Sequence, residues 1–83
     1  MGQNQRPGYA AISAVHGLAP DDPGWTRFMR DVLGLPLWMV PAVQVAIRQA
    51  AWKQALNPLE TVRENAHRVV SRMDLKPETT KGD

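Results

Sequence analysis

Two cap-and-proline pairs, Asp22-Pro23 and Asn57-Pro58, constrain this chain more than any other feature. An Asp or Asn side chain accepts hydrogen bonds from the unpaired amides that open a helix, and proline is preorganised for the first helical position. Proline also pushes the residue before it out of helical conformation. A helix therefore starts at each pair, and none runs through either. In 83 residues this leaves room for a few short helices around one core and for a single domain. A short strand over residues 9–16 would find no second strand to pair with.

The runs between these marks carry helical periodicity. After Asp22-Pro23, the residues Trp25, Phe28, Met29, Val32 and Leu33 recur at three-and-four spacing, and Gly34 is a natural stop. Residues 35–56 are the most apolar part. Pro41 cannot lie deep in a helix without a kink. Either Pro36 opens a short turn and Pro41 restarts the helix, or one helix bends there. From 41 to 56 the pattern predicts a continuous helix with two apolar stripes. Val40, Val43, Ile47, Ala50 and Ala51 form one; Trp38, Val45, Trp52 and Leu56 form a second, nearly opposite at about 100° per residue. Such a helix is buried between neighbours, as the central helix or as part of an oligomer interface.

After Asn57-Pro58, Glu60 is placed to reach back in a capping box, so the chain should break sharply with almost no loop. Leu59, Val62, Ala66, Val69, Val70 and Met73 form the buried face, with Arg63, Glu64, His67, Arg68, Ser71 and Arg72 mainly outside it. Tyr9, Ile12 and Val15 predict a short helix before the others, ended by Gly17. The fold expected is all-α: a small bundle of three main helices (22–33, 36/41–56 and 58–74) with a short additional N-terminal helix. Residues 9–75 form the helical domain, and 1–8 and 76–83 are disordered ends.

Charge separates along the chain. From Met1 to Leu37, Arg6, Arg27 and Arg30 balance Asp21, Asp22 and Asp31. From Trp38 to Lys76, Arg48, Lys53, Arg63, Arg68, Arg72 and Lys76 outnumber Glu60, Glu64 and Asp74, leaving +3. Seven of the ten cations are Arg, whose planar fork suits phosphate and carboxylate.

Enzyme chemistry finds little support. The chain has no cysteine and two histidines. Glu64 and His67 make half of a di-iron motif whose other half is missing. No third group orients His67 and Ser71 as a nucleophilic pair. The expectation is no enzyme, no cofactor and no metal. No apolar run reaches the ~20 residues needed to span a membrane, and a cytoplasmic location without membrane partners fits best.

Arg63, His67, Arg68 and Arg72 on the last helix, with Arg48 and Lys53 on the one before, are the candidates for phosphate contact with DNA or RNA. Glu64 and Arg68 form a favourable i, i+4 pair that partly explains Arg68 without a ligand. Two helices joined by a tight break, the second bearing Arg, outline a helix-turn-helix. The alternative is a protein-interaction or homodimer module using Trp38, Val45, Trp52 and Leu56, since aromatics are enriched at interfaces.

Asn57-Pro58, Val62, Ala66-His67 and Val69 together resemble region 2 of bacterial extracytoplasmic-function sigma factors. The resemblance covers about a fifth of the chain, residues 57–73. It implies that the helix after Asn-Pro helps recognise and melt promoter DNA while docking on a larger assembly, RNA polymerase. Thr61 stands where that family often has an aromatic, and Arg68 where it has Asn.

Overall fold

The computed structural model describes residues 6–74. The order is α1 (Tyr9–Val15), α2 (Pro23–Arg27, continued as a π-helix over Phe28–Leu33), a 3₁₀ turn (Leu37–Met39), α3 (Val40–Gln49), a second 3₁₀ turn (Trp52–Gln54) and α4 (Pro58–Met73). No strand occurs among the described residues, so the fold is all-α, with the short N-terminal helix present.

Both cap-and-proline pairs act as their chemistry requires. Asp22 Oδ1 accepts from the Gly24 amide at 2.8 Å, and Asn57 Oδ1 accepts from the Glu60 amide at 3.1 Å. Glu60 does not complete a capping box. Its carboxylate accepts from Arg63 Nη1 at 2.8 Å instead, a charge-assisted bond stronger than one to a neutral amide. Gly34 ends α2 in the left-handed region at φ 71°, which glycine adopts without steric cost. Pro36 is extended and precedes the first 3₁₀ turn, while Pro41 sits in the first turn of α3. The segment therefore restarts a helix instead of bending one.

The continuous helix expected to residue 56 is not formed. α3 ends at Gln49; Ala50 is extended, the second 3₁₀ turn follows, and Ala55 is extended again. The connection to α4 is thus a shaped loop and not a sharp break. Trp52 supplies the reason. On a continuous helix it would lie about 140° from Ile47, away from the core. The break turns it inward to 3% exposure, and its Nε1 donates to the Ile47 carbonyl at 2.9 Å. That carbonyl belongs to the last turn of α3 and has no intrahelical partner beyond the helix end. Burying an aromatic of this size gains roughly 1.5–3 kcal/mol, more than the helix propensity of two alanines, which is a fraction of a kcal/mol each.

α3 packs most extensively on α4. Ala42, Val43 and Ala46 of α3 and Val62 and Ala66 of α4 are all at 0% exposure, small side chains that let two backbones approach. Around this pair, the Trp25 ring meets Phe28 edge-on at 5.8 Å, and Tyr9 meets Trp52 at 5.3 Å. Trp25 and Trp52 are therefore core residues. Trp25 also donates its indole N–H to the Leu18 carbonyl at 3.2 Å.

Residues 6–8, expected to belong to a disordered end, are built into the fold. Arg6 Nη1 donates to the Lys53 carbonyl at 3.0 Å and to the Ala55 carbonyl at 2.7 Å. The Leu59 amide donates to the Pro7 carbonyl at 3.3 Å. Gly8 caps α1 at φ 79°, and a Cβ built on it would collide with the Leu59 side chain. This one nitrogen, with its two hydrogens, reaches two carbonyls that the non-helical loop leaves unpaired, which fastens the chain start to the connection before α4. Residues 1–5 and 76–83, the remainder of the expected disordered ends, lie outside the described residues.

Candidate nucleic-acid interface

α4 divides its cations between two tasks. Arg63 is partly buried and donates through Nε to the carbonyl of Leu33, the last residue of α2, at 3.2 Å, while Nη1 holds Glu60. Helix ends leave carbonyls without intrahelical partners, and Arg63 supplies one. Its guanidinium ties α4 to α2 and pairs with Glu60, which uses two of its five N–H donors.

His67, Arg68 and Arg72 have the other disposition. All three are exposed, and with Ser71 they line one shallow depression of about 480 Å³ on α4. No acidic side chain lines it. The Glu64–Arg68 pair that the spacing suggested does not form: among the described residues the ion pairs within 4.0 Å are Arg30–Asp31 and Arg63–Glu60. Spacing of i, i+4 places two side chains within reach of each other, but on a fully solvated helix face the gain barely offsets the lost rotamer freedom.

Arg48 and Lys53 lie elsewhere. They line a cleft of about 370 Å³ together with His16, Trp52 and the residues that end α3. Lys53 Nζ stands 5.7 Å from the centre of the Trp52 ring. This cleft shares no lining residue with the depression on α4. The basic second half of the chain thus divides into two surfaces. His16, read from sequence as a helix-end residue, joins the second surface only because α1 ends beside α3. No spacing signal could have connected positions 32 residues apart.

The residues proposed for a partner interface do not share a face. Trp52 is buried, Trp38 and Val45 are half-buried, and Leu56 is 91% exposed in the loop after the second 3₁₀ turn. Their common stripe required the continuous helix that the Trp52 turn breaks. Leu37 at 52% exposure was not singled out from sequence, because the apolar run around it pointed to burial.

Among the described residues no three His, Asp or Glu side chains gather where they could hold a metal ion. No single helix there is long and apolar enough to cross a membrane; the segments Pro23–Leu33 and Leu37–Gln49 have the combined length but are bent by 108°. Comparison of the chain with protein-family models, curated proteins and solved structures finds no match.

Proposed function

We propose that this chain is a small regulatory module that binds nucleic acid through the exposed face of α4, with His67, Arg68 and Arg72 as the contact residues. The observation that carries the reading is the pair of arginines one turn apart, both exposed and without a carboxylate within 4.0 Å among the described residues. Like charges at i, i+4 repel by a few tenths of a kcal/mol, a cost that a bound phosphate backbone reverses. The resemblance of residues 57–73 to region 2 of extracytoplasmic-function sigma factors supports promoter DNA as the nucleic acid and RNA polymerase as the larger partner.

The test is a fluorescence-anisotropy titration against duplex DNA, single-stranded DNA and RNA at two salt concentrations. Two arginine–phosphate contacts on duplex DNA give a log–log salt slope near about −2. Absence of binding to every oligonucleotide at low salt refutes the proposal.

A further inference from the structure

The surface beside the bend between α2 and α3 presents a second feature, independent of α4. Leu37, on the 3₁₀ turn that follows the 108° bend, is 52% exposed, while Met39 two residues on is turned into the core at 2%. Thr26 and Leu37 form a ridge shared by two hollows. One, of about 450 Å³, is lined by Met29, Gly34, Leu35 and Pro36, with Arg30 at its side. The other, of about 350 Å³, is lined by Trp38, Val40 and Pro41, with Asp21 and Asp22. The two hollows are apolar with charges of opposite sign.

We propose that this ridge is the contact surface of a two-fold homodimer. A surface that carries a cation on one side of an apolar ridge and carboxylates on the other is complementary to itself. A two-fold axis running along the ridge lays each hollow over the opposite hollow of the second copy. Leu37 then packs on its symmetry mate, and each Arg30 meets the second copy's Asp21. Isologous association requires this kind of self-complementarity, and every favourable pair occurs twice. An unrelated partner has no such requirement, so the charge arrangement favours a second copy. Arg30 is available for it. Its contact with Asp31 is 3.7 Å long, with side chains 74% and 58% exposed, a geometry of little worth. Asp22 is occupied in capping α2, which leaves Asp21 as the accessible carboxylate.

Sedimentation velocity from micromolar to millimolar protein tests the proposal, with circular dichroism to verify that each variant stays helical. The expected result is a monomer–dimer equilibrium in the unaltered chain. Leu37→Glu weakens it by at least ~100-fold, because two apolar contacts are lost across the axis. Arg30→Asp and Asp21→Arg each weaken it by ~10-fold or more, and the double charge exchange restores it. A monomer at every concentration overturns the proposal. So does a dimer indifferent to Leu37→Glu, or a double exchange that fails to restore association.

Discussion

The indole N–H of Trp52 donates to the carbonyl of Ile47 at 2.9 Å, five residues back along the chain, and this bond closes the end of α3. The same ring meets Tyr9 of α1 edge-on, so one side chain ends α3 and packs on α1. Trp52→Phe keeps most of the ring and leaves the carbonyl without its donor, for an expected loss of about 1–2 kcal/mol. Trp52→Ala should cost about 3–5 kcal/mol, close to the whole stability of so small a domain. Urea denaturation measures both, and a Trp52→Phe variant as stable as the unaltered chain would remove the hydrogen bond from the account.

Gly8 is required by its backbone and by its neighbour. Its φ of 79° is strained for an L side chain, and Leu59 occupies the space a Cβ would need. Gly8→Ala should destabilise the fold by roughly 1–3 kcal/mol. Gly17→Ala is the control. It meets nothing within 4 Å and its φ is not in the left-handed range, so it should be neutral or stabilise by up to about 1 kcal/mol. Thermal melts of the two variants should shift unequally.

Arg6 holds two carbonyls of the 50–57 connection. Arg6→Ala should lower stability by about 1–3 kcal/mol. It should also raise amide hydrogen exchange within Trp52–Gln54 before exchange rises in the centre of α4. Arg6→Lys retains the charge, but its ammonium ends one bond short of Nη1, so it should recover only part of the loss. Full recovery by lysine would mean that charge alone matters at this position.

Arg63 and the pair Arg68 and Arg72 should separate stability from binding. Arg63→Ala removes the donor to Leu33 and should lower stability by about 1 kcal/mol. The double variant Arg68→Glu with Arg72→Glu should leave the melting temperature nearly unchanged and weaken nucleic-acid binding by at least ~10-fold at low salt. A melt and an anisotropy titration on each protein decide it. The proposed contact face fails if Arg63→Ala is the more damaging of the two to binding.

Helix starts were legible in the sequence because they are local. Asp22 and Asn57 cap amides only two and three residues ahead, and Pro23 and Pro58 act through their own fixed φ. Gly34 was legible as a stop for the same reason. Most of the α4 core face followed from periodicity: Val62, Ala66 and Val69 are buried as their spacing requires, although Met73 at its end is 49% exposed. On the candidate site, the outward placement of His67, Arg68 and Arg72 was also readable, since helix faces repeat over a few residues.

What the tertiary structure decided lies between residues distant in the chain. The end of α3 depends on whether Trp52 gains more from the core and Tyr9 than from continuing a helix, and periodicity cannot express that competition. Arg6 looked like part of a loose end until the 50–57 connection offered its carbonyls. Arg63 gains its bond to the Leu33 carbonyl only because the fold brings the end of α2 beside α4. Local sequence determined where helices begin and which way their faces point, because capping and side-chain period act within a turn. The tertiary fold determined which polar groups remain to be satisfied, and so which arginines are held by the fold and which stand exposed at its surface.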